Sequence, residues 1–561
     1  MDKTRRYVLG LDFGTLSVRA VLIDTRDGST AGSAISGYPH GVMDRALLSE
    51  SGCDDKPLPG TDWALQHPRD WVDCMTEAVR KAVQTADIRP EQIVGIGVDF
   101  TCSTVLPVDR DGEALCLNER WSGNPHAWPK LWKHHAGAAY ANRLTEIAQN
   151  RGELWLPYYG SRISSEWAVP KIWQNVVEAP DVVEAADCFM EAGDWIVRKL
   201  CGRKGLNATA AGYKYLHGGM APAPDHDFYA AADPALADVM RTKIPEVLPA
   251  FSQAGELTGE AAERLGLATG TPVAAAGIDA HAAAPAAGLN RAGQMVITMG
   301  TSSCHMLISD RKAAVPGTFG TAVDGFIPGF YGYEAGQSAV GDSFAWVVDN
   351  LLPAAYQQEA DLRGITPHQL LTEKAERLKP GESGLVALDW LNGNRSILND
   401  AGLTGLIAGL TLHTRPEEIY RAEIEATAYG TRMITENFAA NGVPVTEIYI
   451  TGGISRKNQM AMQIYADVLR QPVHILDAAS GSALGAAMYG AAATGSSHGG
   501  YDSLTEASAA MKAPLLTTVE PIAENTAVYD ELFGIYRELH EHFGRQTDLM
   551  KRLRGIAGFL K

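Results

Sequence analysis

A chain of 561 residues with 46% hydrophobic side chains and a mean hydropathy of −0.10 is long enough for about two to four globular domains and too apolar to be disordered. Its formal charge of −18 excludes a general nucleic-acid or anionic-membrane surface, because both need basic patches. An anionic substrate must then be met by a metal ion, backbone N–H groups or a single lysine.

Seven cysteines, Cys53, Cys74, Cys102, Cys116, Cys188, Cys201 and Cys304, are scattered and never form a Cys-x-x-Cys pair. Neither a disulfide framework nor a zinc site is expected, and reduced thiols point to a cytoplasmic protein. The charged start Met1–Arg6 is followed by an apolar run that reaches Asp12 too soon for a signal peptide. No run of about 18 apolar residues suggests a membrane span.

In chain order, Tyr7 to Leu11 and Val18 to Ile23 are apolar, β-branched runs flanking Asp12-Phe13-Gly14-Thr15, which reads as a buried hairpin with a polar tip. Gly14 allows close approach of the backbone to a ligand, Thr15 and nearby N–H groups can donate to phosphate oxygens, and Asp12 can hold hydrated Mg²⁺. Ala31 to Tyr38 reads as a third strand and residues 40–68 as an aperiodic surface excursion. Pro68 opens a helix marked by Trp71, Met75, Val79 and Ala82, and Ile93 to Phe100 is a buried strand, giving βββαβ. That strand ends at Asp99-Phe100-Thr101-Cys102, where open α/β sheets place ligands, so Asp99 and Cys102 are candidate substrate contacts. Trp128 and Trp132, four apart, are expected on one buried helical face, and a helix is expected after Pro170. Lys214 is the lone cation in Ala211-Gly212-Tyr213-Lys214-Tyr215, a pattern that by itself describes a solvated surface lysine. Residues 221–235 read as loop.

The second half reuses the design. Val273 to Ile278 is a strand stopping at Asp279, ahead of a small-residue helix; Gln294 to Met299, the tip Gly300-Thr301-Ser302-Ser303, and Cys304 to Ser309 repeat the first hairpin. Pro416 to Asn441 is a long helix, Glu447 to Thr451 a strand, Gly452-Gly453 a turn, Asn458 to Leu469 a helix, Val473 to Leu476 a strand, and Ser482 to Ala493 an Ala/Gly-rich helix. From Asn525 to Leu560 an apolar face recurs at helical spacing, fit for packing on the body or at a subunit contact. Two phosphate-binding tips facing a cleft between duplicated domains would clamp a nucleoside triphosphate, with Gly452-Gly453 giving side-chain-free access to the nucleoside. Asp279 reads either as a base on an attacking hydroxyl or as a helix N-cap.

Asp12-Phe13-Gly14-Thr15, Gly277-Ile278-Asp279-Ala280-His281, Gly300-Thr301-Ser302-Ser303, Gly405-Leu406-Ile407-Ala408-Gly409-Leu410 and Gly452-Gly453-Ile454-Ser455-Arg456-Lys457-Asn458 together resemble the FGGY carbohydrate kinases of the actin-like ATPase superfamily, over nearly the whole length. The resemblance implies an α/β fold of two duplicated actin-like ATPase (ribonuclease H-like) domains with a cleft between them. The expected divisions are a sugar-side domain over 1–288, an ATP-side domain over 289–495 and a helical extension over 496–561.

Within the family the likeness is to ketopentose kinases, carried by Gly97-Val98-Asp99-Phe100-Thr101, Asn124-Pro125-His126-Ala127, Ala211-Gly212-Tyr213-Lys214 and Glu334-Ala335-Gly336-Gln337. It implies phosphorylation of L-ribulose at O5 by MgATP, in arabinose catabolism. Asp279 would be the base; Lys214 and Glu334, with Asp99 and Cys102, would contact sugar. Gly14, Thr15, Gly300, Thr301, Gly452, Gly453 and Asn458 would line the ATP site, and Asp12 would organise Mg²⁺. Small-molecule partners, no nucleic acid and no membrane are implied, and a homodimer is left open. Two departures stand out: Cys102 where a smaller residue faces the sugar, and Pro170-Lys171-Ile172-Trp173, one residue tighter than the family signature. The competing readings are a kinase of xylulose, ribitol or glycerol, an actin-like ATPase switch, and a silent sugar sensor.

Overall fold

The structure, a computed structural model, describes residues 5–48, 55–217, 223–477 and 481–558. Cys53, the start Met1–Thr4, the middle of the expected excursion, the first residues of the expected 221–235 loop and the expected helix end at Leu560 lie outside them. The chain divides into two units: Met1–Asn290 with Gly320–Gly332 and Ser480–Ala513, and Arg291–Phe319 with Tyr333–Ala479 and Pro514–Lys561.

The first unit is built on a mixed sheet. Its strands are β1 (Tyr7–Phe13), β2 (Ser17–Asp24), β3 (Thr30–Gly37), β4 (Ile93–Phe100), β5 (Gln253–Glu256), β6 (Pro272–Ala274) and β7 (Gly277–Ile278). Their order is β5-β6-β4-β1-β2-β3, with β7 also beside β4. The hairpin β1/β2 and the pair β2/β3 are antiparallel, whereas β1/β4 and β4/β6 are parallel. β1 and β4 are almost continuously buried, as central strands covered on both faces must be. The expected single strand over 273–278 is interrupted into β6 and β7.

One face of this sheet receives a helix from far along the chain. Gly481–Thr494 is rich in Ala and Gly, and its backbone lies so close to β4 that a Cβ on Gly97 would stand 1.7 Å from the carbonyl oxygen of Ala486. The same helix approaches Asp279–Ala286, where a Cβ on Gly485 would stand 1.9 Å from the oxygen of Ala282. Small residues at these positions are what let three elements meet backbone to backbone.

The second unit repeats the plan. Strands β8 (Gln294–Met299), β9 (Ser303–Ser309), β10 (Tyr331–Gln337), β11 (Glu447–Thr451), β12 (Val473–Leu476) and β13 (Leu515–Val519) run in the order β10-β9-β8-β11-β12-β13. Again a hairpin is antiparallel (β8/β9), two successive pairs are parallel (β8/β11 and β11/β12), and the far pair (β12/β13) is antiparallel. The long helix Pro416–Ala440 is buried along most of its length, and Gln459–Leu469 packs beside it.

Several expectations change. Trp128 and Trp132 share no helix, because Pro125 and Pro129 interrupt the spacing; Trp128 is buried and Trp132 half-buried. The helix expected after Pro170 begins at Ala168, with Pro170 in its first turn where no N–H is needed. Beyond the undescribed residues, the expected 221–235 loop carries His226–Ala232, capped by Asp225, and the start of Pro234–Thr242, capped by Asp233. The C-terminal stretch is helical over Ala523–Glu541 and Leu549–Ile556, separated by a π-turn. None of the cysteines among the described residues is joined in a disulfide. Among these residues no helix is long and apolar enough to cross a membrane.

Candidate active site

Strand register gathers the acidic residues of the first unit. The parallel β1/β4 ladder sets Asp12 opposite Asp99, and β7 pairs Gly277 with Asp99, so Asp279 leaves the sheet two residues later. Asp99 is completely buried and neither carboxylate oxygen accepts a hydrogen bond from a fixed donor. Burial first, then the charges of Asp12 and Asp279, push its carboxyl well above the usual carboxylate range. Burial also pushes Asp12 up, opposed by a hydrogen bond with Asp99 and by Arg19, whose Nη1 lies 3.7 Å from the Asp12 Oδ2. The sequence expects Asp99 to touch substrate, but its side chain is wholly enclosed and faces other carboxyls instead.

Asp279 stands at the first helical position of Asp279–Ala286, while Ile278 occupies the N-cap. The cap alternative therefore does not describe its place. It is half-buried, and its Oδ1 accepts from the N–H of Ala280 at 2.7 Å. His281 beyond it packs edge-on against Tyr213 (4.7 Å between ring centres) and Phe326 (4.5 Å). Tyr213 precedes Lys214, the last residue of the helix Ala208–Lys214, so this aromatic cluster brings the Lys214 and Asp279 helices together. Lys214 is buried, not the solvated lysine its sequence pattern describes.

At the first tip, Gly14 N–H donates to Ser17 O at 3.0 Å and closes the β1/β2 turn. Thr15 is held twice: Gln66 Nε2 donates to its carbonyl at 2.7 Å and Trp132 Nε1 donates to its hydroxyl at 3.1 Å. The hydroxyl keeps its own proton for a further acceptor. The loop after β4 is pinned by the Thr101 N–H on Phe13 O at 3.1 Å, and Cys102 within it is half-buried.

In the second unit, Gly300 and Thr301 form the exposed β8/β9 tip, with Val340 N–H on Thr301 O at 2.8 Å and Gly341 N–H on Gly300 O at 3.0 Å. The adjacent parallel strand β11 ends at Gly452, whose φ of +114° and close approach to Met299, 2.1 Å from the carbonyl oxygen to where a Cβ would stand, both require glycine. Gly453 follows with open space above it. Two strand ends thus present backbone with no side chain in the way. The Asn458 side-chain oxygen accepts from Ala461 N–H at 2.9 Å as a helix cap, leaving its amide nitrogen, 3.4 Å from Thr372 Oγ1. Glu334 is buried on β10.

Sequence reasoning did not single out two buried charges under the 101–104 loop. Lys171 Nζ donates to Ser103 O and Leu131 O, both at 2.7 Å. Glu191 accepts from Thr104 N–H and Tyr215 O–H, both at 2.9 Å. Burial pushes the Lys171 ammonium down to about 7. The only sign in the sequence is a lone lysine inside an apolar helix. Among the described residues, His40, His67 and Asp70 are a group whose ligand atoms lie within 4.8 Å. The two imidazoles are stacked at 4.4 Å and 17°, which does not aim both lone pairs at one ion.

The half-buried Asp12 carboxylate at the end of β1 offers the hard oxygen donor that suits Mg²⁺. Residues 7–285 match the model of the N-terminal domain of the FGGY family of carbohydrate kinases, and residues 295–494 match its C-terminal domain. The chain is similar to a protein named ribulokinase from Bacillus licheniformis, 48% identical over 542 residues, covering 96% of this chain and 97% of the relative. Another of that name, from Mycolicibacterium smegmatis, is 44% identical over 550 residues, covering 98% of this chain and 96% of the relative. Among solved structures, a xylulose kinase from Rhodospirillum rubrum superposes with a TM-score of 0.77 at 25% identity, covering 96% of this chain and all of that one (100%). A gluconate kinase from Lactobacillus acidophilus gives 0.79 at 18% identity over 97% of this chain and 99% of its own, a likeness of fold alone. With both domain models matched in order, this chain belongs to the FGGY family of carbohydrate kinases.

Proposed function

We propose that this chain transfers the γ-phosphoryl group of ATP to O5 of L-ribulose. What carries the choice of sugar is identity of 44–48% to proteins named ribulokinase, over nearly the full length of both partners. The chemistry rests on the half-buried Asp279, held in place by the close-packed helix behind it.

In this reading Asp279 accepts the proton of the attacking hydroxyl at its carboxylate, while Lys214 and Glu334 hydrogen-bond the other sugar hydroxyls. Gly14, Thr15, Gly300 and Thr301 offer backbone N–H and hydroxyl donors to phosphate oxygens, and Gly452-Gly453 admits the nucleoside. Asn458 contributes its amide nitrogen, since its oxygen caps a helix. Asp12 is the residue that would hold Mg²⁺, which when bound neutralises charge on the phosphate oxygens. The enclosed Asp99 acts on Asp12 and not on the sugar. In-line transfer needs the base behind the attacking oxygen and the phosphorus in front of it, so positioning supplies much of the rate.

The test is ADP release from MgATP over L-ribulose, D-ribulose, D-xylulose, L-xylulose, ribitol and glycerol, with a no-sugar blank. Strong stimulation by L-ribulose is expected. Preference for xylulose or a polyol would move the chain to another member of the family, and a blank as fast as every sugar would sink the kinase reading.

A further inference from the structure

The carbonyl oxygens of Ser103 and Leu131 end on one side chain, Lys171, which is 1% exposed. A buried ammonium is costly unless its protons are used, so its two short bonds to backbone carbonyls are obligatory contacts. They tie the helix Ala168–Glu178 to segments 68 and 40 residues away in sequence. Lys130 reciprocates: its Nζ donates to Lys171 O at 3.2 Å and to Gln174 Oε1 at 2.7 Å, so each lysine holds backbone beside the other.

The same peptide group is held from its opposite edge. Glu191, 3% exposed, accepts the N–H of Thr104, and its second oxygen accepts the hydroxyl of Tyr215, the residue after Lys214. Leading into this doubly held peptide, Ser103 takes φ +62°, a left-handed backbone that a serine adopts only when its surroundings impose it. From Leu131 the path continues to Trp132, whose ring N–H meets the Thr15 hydroxyl. One ammonium and one carboxylate therefore reach the Cys102 loop, the Lys214 helix end and the first phosphate tip.

We propose that Lys171 and Glu191 are positioning residues for phosphoryl transfer, clamping the Ser103–Thr104 peptide of the Thr101–Thr104 loop from its two edges so that Cys102 and Lys214 keep a fixed spacing around the sugar, in line with Thr15 at the phosphate tip. The proposal rests on the kinase reading above. It goes beyond it in assigning the shape of the sugar pocket to two charges that touch no substrate.

The unmodified chain is first assayed on the sugar panel; if no sugar stimulates ADP release, the kinase reading fails whatever Lys171 does. With a stimulating sugar in hand, Lys171→Met, Lys171→Arg and Tyr215→Phe are compared for KM, kcat, melting temperature and MgADP affinity by calorimetry. Lys171→Met is expected to raise the sugar KM at least about tenfold and to lower kcat, with MgADP affinity held within about threefold, because a loop displaced by a fraction of an ångström misplaces the acceptor. Lys171→Arg, which keeps donors at that site, is expected to recover part of the sugar KM. Tyr215→Phe removes only the hydroxyl from Glu191 and is expected to raise the sugar KM about threefold. A folded Lys171→Met variant with unaltered sugar KM and kcat overturns the proposal. If that variant does not fold, Lys171→Arg and Tyr215→Phe decide: wild-type sugar KM in both overturns it equally.

Discussion

Asp12 and Asp99 stand side by side as register partners on parallel neighbouring strands, one half-buried and one wholly enclosed. Burial, then the charges of Asp12 and Asp279, push the Asp99 carboxyl well above the carboxylate range, and in the hydrogen bond between the two Asp99 is the donor and Asp12 the acceptor. Asp99→Asn, neutral and still a donor, should leave the Mg²⁺ concentration for half-maximal rate within about threefold of the unmodified chain. Asp99→Ala should raise it about tenfold or more, and Asp12→Asn should raise it further. A titration of rate against Mg²⁺ decides; loss of the metal response in Asp99→Asn would mean that Asp99 binds as an anion.

Asp279→Asn preserves size and removes the proton acceptor. General-base action contributes typically ~10²–10⁴ in rate, so kcat should fall by at least ~10² while nucleotide affinity is kept. Near-normal turnover would make Asp279 a structural residue.

In the second unit Glu423 lies buried near Asp389, which accepts from Gln337 Nε2 at 3.0 Å and Tyr536 O–H at 3.1 Å. Burial, with the charge of Asp389, pushes Glu423 from its usual 4.5 up to about 8. Between those values the folded chain keeps a proton that the unfolded chain has lost. Stability from this group is therefore full below about pH 4.5, declines as pH rises, and levels off above about pH 8, with a steepest slope of about 1.4 kcal/mol per pH unit. Urea midpoints measured from pH 5 to 8 should fall more steeply in the unmodified chain than in Glu423→Gln. Parallel curves would remove Glu423 from the account.

Gly97→Ala places a methyl group on the backbone of Gly481–Thr494, where no flexible side chain can yield. A cost of about 3 kcal/mol or more is expected from such overpacking, read as a lower denaturation midpoint. An unchanged midpoint would mean that the helix shifts without loss.

Local chemistry was the legible part of the sequence. β4, β11 and β12 have the bounds their apolar runs predict, because a continuous apolar stretch ended by polar residues leaves little choice of register. The two hairpin tips were equally plain, since each places Gly-Thr between β-branched runs. The environment of Lys214 and Asp99 was not legible: burial depends on what other segments cover, and a lone lysine among alanines looks the same exposed or enclosed. The Lys171 and Glu191 anchors were hidden for the same reason, as they meet at a loop distant in sequence from both. Trp128 and Trp132 have helical spacing, but the prolines at 125 and 129 keep them off a common helix. The helix Gly481–Thr494 is legible in the Ala/Gly-rich run Ser482 to Ala493, but nothing local assigns it to the first sheet.

That helix also sets a timetable for biosynthesis. β4 leaves the ribosome about 380 residues before the helix that covers it, which at 5–20 residues per second is on the order of 20–80 s. Over that interval the nascent sheet carries a bare strip shaped for a backbone that has not yet been made. The first unit cannot finish folding until most of the second has been synthesised, so the amino-terminal half is the client that a holding chaperone would meet. Ribosome-bound fragments ending before residue 481 should acquire protease resistance only after the last Ala/Gly helix is supplied.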